Sequence, residues 1–175
     1  MSIKVVFLDR DGVINKEIGY LHKIKDFVFI EGVFEACKHF LSLEYEIIII
    51  TNQSGIARGL YKAKDFHVVN EWMLDRFKQE GVDILDVFFC PHAPDDNCHC
   101  RKPKPGLFLN AKDQHDIDMN NSWMVGDKET DVKAANSAGI SQTVLVRSGH
   151  DINESYSQAT YILDSILQTN TVIRS

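Results

Sequence analysis

Asp9 and Asp11 are separated by one residue and stand directly behind an apolar run from Ile3 to Leu8, with Gly12 following. In an extended chain residues i and i+2 point to the same side, so both carboxylates can face one small volume. Two negative charges held that close are costly unless a cation lies between them or one carboxyl keeps its proton. The first outcome makes a magnesium site; the second places a nucleophile beside a general acid. Alone, the pair is equally compatible with a solvated turn. Three more polar groups sit behind other segments: Thr51 and Asn52, the Arg101-Lys102 pair, and Asp127. A hydroxyl such as Thr51 is by itself most often a turn or cap residue. Lys102, beside Arg101 and Lys104, could equally be a solvated basic patch. Together these groups supply a carboxylate nucleophile, a second carboxylate as acid and base, a hydroxyl and an ammonium for phosphate oxygens, and further carboxylates for a metal. That is the equipment of phosphoryl transfer, where catalysis is mostly positioning and charge neutralisation.

Such groups converge only if the elements carrying them are laid side by side. The run Ile3 to Leu8 is β-branched and aromatic, and Glu46 to Ile50 is almost wholly isoleucine, so both read as strands buried on two faces. Further strands are expected at Ile84–Phe89, Trp123–Val125, Thr143–Val146 and Tyr161–Leu163. Between them, helices are expected from Val33 to Leu41, from Ala63 to Glu80 with Gly81 as its stop signal, from Pro105-Gly106 to about His115, and from Glu129 to Ala138, closed by Gly139. Residues 13–20 read as a loop or short flap, and the tail from His150 carries little signal beyond a short strand and helix. Alternation of strand and helix predicts an α/β fold, a doubly wound, Rossmann-like parallel sheet with flanking helices. In such sheets chemistry lies beyond the carboxyl ends of the strands, where Asp9, Asp11, Thr51 and Asp127 fall. The connections leave no room for a large inserted cap.

At 175 residues the chain is expected to form one domain, 1–175, with a sizeable core; 44% hydrophobic and 25% charged residues argue against disorder. A net charge of -6 without a basic stripe gives no support to nucleic-acid binding. No run approaches the roughly 20 apolar residues needed to span a membrane, and Asp9-Arg10-Asp11 interrupts the first apolar run before a secretory signal core could form. A soluble, cytoplasmic protein is the default expectation, and nothing requires more than a monomer. Cys90, His92, Cys98 and Cys100 crowd the loop 90–104. In a reducing compartment that favours metal over disulfide, and three thiolates with one imidazole complete a closed, structural zinc site. His99 is the alternative nitrogen donor.

Asp9-Arg10-Asp11-Gly12, Thr51-Asn52, the lysine of Arg101-Lys102-Pro103, and Gly126-Asp127-Lys128-Glu129-Thr130-Asp131 resemble, in order, the four motifs of the haloacid-dehalogenase superfamily of phosphatases. The resemblance implies that Asp9 attacks phosphorus and that Asp11 serves as general acid and then base. It further implies that Thr51 and Lys102 bind the transferring phosphoryl group, and that Mg²⁺ is held by Asp9, the Asp11 backbone carbonyl and Asp127. Asp131 would support the loop. The stretches Cys90-Pro91-His92, Cys100-Arg101-Lys102-Pro103 and Thr51 to Gly59 are similar to the heptose-1,7-bisphosphate 7-phosphatases, a nearly capless branch serving heptose biosynthesis for cell-surface glycans such as lipopolysaccharide. That similarity favours His92 as the zinc ligand. It also implies a small phosphorylated sugar as substrate, contacted by Glu17, Ile18, Gly19 and Tyr20, by Thr51, Asn52, Gln53 and Ser54, and by Arg101, Lys102 and Lys128. One departure stands out: the interval from His92 to Cys98 is short, as in the related histidinol-phosphate phosphatases, whereas many heptose enzymes carry an insertion there. Histidinol phosphate or another small sugar phosphate is therefore the alternative substrate, and a zinc-stabilised binding module without catalysis is the alternative of another class.

Overall fold

A computed structural model describes residues 1–175. Six strands, β1 (Lys4–Leu8), β2 (Tyr45–Asn52), β3 (Asp86–Cys90), β4 (Trp123–Gly126), β5 (Gln142–Val146) and β6 (Tyr161–Leu163), form one sheet in the order β3-β2-β1-β4-β5-β6. Every pairing is parallel. This is the doubly wound order in which chain direction across the sheet reverses between β1 and β4, and a crevice opens there at the carboxyl ends. Four helices cover the sheet: α1 (Val33–Ser42), α2 (Ala63–Gln79), α3 (Gly106–His115) and α4 (Glu129–Ser137).

The strands are apolar throughout because alternate side chains serve two separate cores. Val6, Leu8, Ile47 and Ile49 pack with Val33, Phe40, Met73 and Phe77 of α1 and α2. Their neighbours Val5, Phe7, Ile48 and Ile50 face the other way, onto Leu107, Phe108 and Ala111 of α3 and Ala134 and Ala135 of α4. A 3-10 segment at Ile166–Thr171 continues the first core, where Ile166 and, just after the segment, Ile173 are buried on the side that carries α1.

The expected elements are all present, with small shifts at their ends. β3 begins at Asp86 rather than Ile84, although the Leu85 N–H already donates to Ile47 O at 2.8 Å. As an edge strand β3 is only half-buried along most of its length, so apolar pattern alone marks its start weakly. The tail forms β6 and the 3-10 segment, where a strand and a helix were expected.

Candidate active site

Beyond the end of β1 the two aspartates part company. Asp9 turns into a buried cluster with Asp127, which follows β4, and Asp131 in the first turn of α4; their carboxylate oxygens lie within 4.8 Å of one another. Lys102 reaches into this cluster from the loop before α3. Its Nζ lies 3.0 Å from Asp9 Oδ1 and 2.6 Å from Asp131 Oδ1, and it donates to Ile50 O at 3.0 Å. Asp9 Oδ1 also accepts from the Arg10 N–H at 2.9 Å, which fixes the carboxylate's orientation.

Asp11 has a different set of partners. Arg10, almost fully buried, donates to Asp11 Oδ1 at 2.9 Å and to Leu21 O at 3.2 Å, and Asn15 donates to the same Oδ1 at 3.0 Å. Gln53 donates to Asp11 Oδ2 at 3.2 Å. The two side-chain charges are thus compensated separately, Asp9 by Lys102 and Asp11 by Arg10.

These environments push the carboxyls apart. Burial, with repulsion from Asp131, raises Asp9 well above the usual carboxylate range despite the attraction of Lys102. Burial would also raise Asp11, but the Arg10 guanidinium and the donors Asn15 and Gln53 outweigh it and hold Asp11 below that range. Asp127 is pushed up to about 6 by burial and by the charge of Asp131. For Lys102 the charges of Asp131 and Asp9 overcome burial and raise its pKa further, so the ammonium keeps its proton.

Asp131 has one oxygen on Lys102, and the other accepts from the N–H groups of Asp127 and Lys128, both at 3.1 Å. It therefore anchors the loop that presents Asp127. The carboxylate of Asp127 is fully buried: Oδ2 accepts from the His150 N–H at 3.0 Å and meets its Nδ1 at 2.6 Å, while Oδ1 has no partner. Gly12 is needed beside it. The residue takes φ +87°, and a Cβ there would overlap the Asp127 carboxylate.

The cluster fits a magnesium ion. With all three carboxyls ionised, one ammonium would leave two excess negative charges in a buried volume, which a divalent cation would offset, and one Asp127 oxygen is buried without a partner. Asp9, Asp127 and the Asp11 backbone carbonyl are the groups that would hold the ion, with Lys102 already occupying one side of Asp131.

Above the cluster opens a polar cavity of about 340 Å³. Of the residues expected to touch substrate, Glu17, Gly19, Tyr20, Asn52, Gln53, Ser54, Arg101, Lys102 and Lys128 line it. Two of the expected residues do not line it: Ile18 is exposed, and Thr51 is fully buried beneath Asn52 and Gln53, with its hydroxyl accepting from Gln53 Nε2 at 2.9 Å. Asn52 and Gln53 commit their side chains inward: Asn52 exchanges two hydrogen bonds with the backbone of Lys102, at 3.2 and 3.3 Å, and so fixes the lysine's loop. Four lining residues were not expected: Arg58, Tyr61, Thr130 and His150. His150 lies just beyond β5, where the strand-end rule that found Asp127 would also have found it.

Beside the cavity, the donor atoms of Cys90, His92, Cys98 and Cys100 lie within 4.8 Å of one another. His92 Nδ1 is 3.4 Å from Cys90 Sγ and 3.3 Å from Cys100 Sγ, and Cys98 Sγ is 3.6 Å from Cys90 Sγ, whereas Cys100 Sγ and Cys90 Sγ, at 2.6 Å, would have to move apart to hold an ion between them. Zn–S bonds of about 2.3 Å in a tetrahedron give ligand separations near those of the other three pairs. Burial opposes ionisation of Cys98, but donors from the Arg101 and Cys100 backbone and neighbouring thiols hold it down to about 7, a suitable thiolate ligand. His92, and not His99, is the histidine in this cluster.

The chain has known relatives. The family described as "HAD-hyrolase-like" matches residues 99–169. A D-glycero-alpha-D-manno-heptose-1,7-bisphosphate 7-phosphatase of Photorhabdus laumondii is 49% identical over 160 residues, covering 87% of each chain. A D-glycero-beta-D-manno-heptose-1,7-bisphosphate 7-phosphatase of Vibrio cholerae is 47% identical over 174 residues, covering 95% of this chain and 94% of its own. Among solved structures, the D,D-heptose 1,7-bisphosphate phosphatase of B. bronchiseptica, complexed with magnesium and phosphate, superposes with a TM-score of 0.83 at 29% identity over 94% of both chains. At such identity over nearly the whole length, the chain is a member of the heptose-1,7-bisphosphate 7-phosphatase family of HAD-like hydrolases.

Proposed function

We propose that this protein removes the 7-phosphate of D-glycero-D-manno-heptose 1,7-bisphosphate as a magnesium-dependent phosphatase working through an aspartyl phosphate. The observation that carries the reading is the separation of the two aspartates: Asp9 is held rigidly by Lys102 and the Arg10 N–H, while Asp11 is held apart at the cavity wall by its own donors.

Asp9 attacks phosphorus, and the bond from phosphorus to the sugar oxygen breaks. Asp11, having taken up a proton as the anionic substrate enters, gives it to the departing alkoxide. In the second step Asp11, now a carboxylate, removes a proton from water as it attacks the aspartyl phosphate, releasing inorganic phosphate and restoring Asp9. Lys102 and the Thr51 hydroxyl bind phosphoryl oxygens throughout. Asp9, Asp127 and the Asp11 backbone carbonyl would hold magnesium, which would supply neutralisation of the phosphate's charge. Asp131 keeps Lys102 charged and Asp127 in place. The second phosphate of the substrate finds Arg101 and Lys128 at the rim, where a guanidinium can grip it bidentately. Cys90, His92, Cys98 and Cys100 would hold zinc, which would stiffen the loop that carries Arg101 and Lys102. The whole chain acts as one catalytic domain and a monomer, in the cytoplasm, where reducing conditions keep these thiols available to the metal.

Histidinol phosphate remains the rival substrate because only five residues separate His92 from Cys98. Comparing kcat/KM for the alpha and beta anomers of the heptose bisphosphate with that for histidinol phosphate decides the matter. A preference for either heptose anomer is expected; a clear preference for histidinol phosphate would overturn the assignment.

A further inference from the structure

We infer that Tyr61 is a positioning residue for catalysis: its phenol orients the Gln53 carboxamide so that one nitrogen holds both the Asp11 carboxylate and the Thr51 hydroxyl. This rests on Asp11 as acid and base and on Thr51 as a phosphoryl ligand. The Tyr61 hydroxyl lies 2.5 Å from Gln53 Oε1. Gln53 Nε2 lies 3.2 Å from Asp11 Oδ2 and 2.9 Å from Thr51 Oγ1. The direction of this chain is fixed from its far end. An ionised carboxylate only accepts, so the edge of Gln53 facing Asp11 must be its NH₂, and its oxygen must face Tyr61. The phenol therefore donates. Burial pushes Tyr61 up to about 12, so that proton is retained at any working pH.

The consequence at the site is twofold. Asp11 Oδ1 is taken up by Arg10 and Asn15, and Oδ2 has Gln53 alone, so Gln53 sets where the proton-transferring oxygen points. Thr51 Oγ1 accepts from Gln53, and its own O–H contacts Asn52 O at only 3.5 Å. That proton is free to turn to a phosphoryl oxygen. Were Gln53 to rotate by half a turn, its oxygen would face Asp11, and both effects would be lost.

Tyr61 is itself built in. It is 6% exposed, its ring stacks on His22 at 5.0 Å with planes 3° apart, and a Cβ at Gly55 would overlap it. A residue that only filled space there would not need the hydroxyl.

Tyr61→Phe keeps the ring and deletes the donor. The readout is kcat/KM, which covers steps up to departure of the alcohol, on heptose 1,7-bisphosphate and on 4-nitrophenyl phosphate, whose leaving group departs without a proton. Expected is a loss of about tenfold on the sugar phosphate and less than about threefold on the aryl phosphate. In a Gln53→Leu background the same substitution should cause no further loss, since nothing remains to be oriented. Gly55→Ala, which displaces the ring, should reproduce the leaving-group dependence should Tyr61→Phe prove unstable to heat. An unchanged rate, an equal loss on both substrates, or a full additional loss in the Gln53→Leu background would overturn the inference. Full activity of Asp11→Asn on the sugar phosphate would instead remove the acid/base reading beneath it.

Discussion

Replacing Asp127 by asparagine should stabilise the metal-free protein while destroying its activity. The carboxylate is fully buried, with one oxygen unpartnered and the charge of Asp131 beside it, and its pKa is raised to about 6. An aspartate in the unfolded chain titrates near 3.9. A carboxyl that binds its proton more tightly when folded leaves stability intact below the unfolded value; stability then falls as pH rises through about 6 and is level beyond. A difference of roughly two pKa units is a penalty of about 3 kcal/mol at neutral pH. Asparagine is isosteric and uncharged, and its oxygen can still accept from the His150 N–H that now donates at 3.0 Å. Urea unfolding in a chelating buffer should therefore show Asp127→Asn more stable than the parent by about 2–3 kcal/mol near pH 7.5, the gap closing toward about pH 4.5. Magnesium at about 100 times its dissociation constant should add about 2.7 kcal/mol to the parent and far less to the variant. A variant no more stable than the parent at neutral pH without metal, or equally stabilised by magnesium, would refute the account of this cluster.

Asp9→Asn should lower phosphate release by at least about 10³-fold with the fold intact, because the covalent route is lost and not merely slowed; release at the parental rate, read by a colorimetric phosphate assay, would remove the nucleophile assignment. Stripping zinc should raise KM several-fold with a smaller change in kcat, because the loop at Cys90–Cys100 holds Arg101 and Lys102 at the cavity rim. Steady-state kinetics of zinc-free and zinc-loaded protein with magnesium held constant would check this, and superimposable curves would contradict it.

The sheet was legible in the chain because each central strand is a short, uninterrupted apolar run, and only burial on both faces tolerates Ile47 to Ile50 in sequence. Asp9 and Asp127 were legible for the same reason, being the first polar residues after such runs, and Asp11 follows Asp9 at the i+2 spacing. Where the reading stopped, the cause was distance along the chain. Arg10 looked like a spacer between two acids, yet it is almost fully buried and reaches Leu21 O to hold the flap against Asp11. Its burial follows from packing beneath the flap, which no local pattern encodes. Tyr61 stands in an irregular stretch between β2 and α2, and only the glycine at position 55 lets its ring lie against that loop within reach of Gln53. His150 approaches Asp127 from 23 residues away and Glu17, at 3.8 Å, from much further. The strand ends thus announce which side chains gather at the site. The groups that aim those side chains come from loops that meet only after the sheet has formed. Substitutions at Tyr61 and Gln53 should accordingly alter rate and leaving-group dependence far more than stability, whereas changes within β1 or β2 should do the reverse.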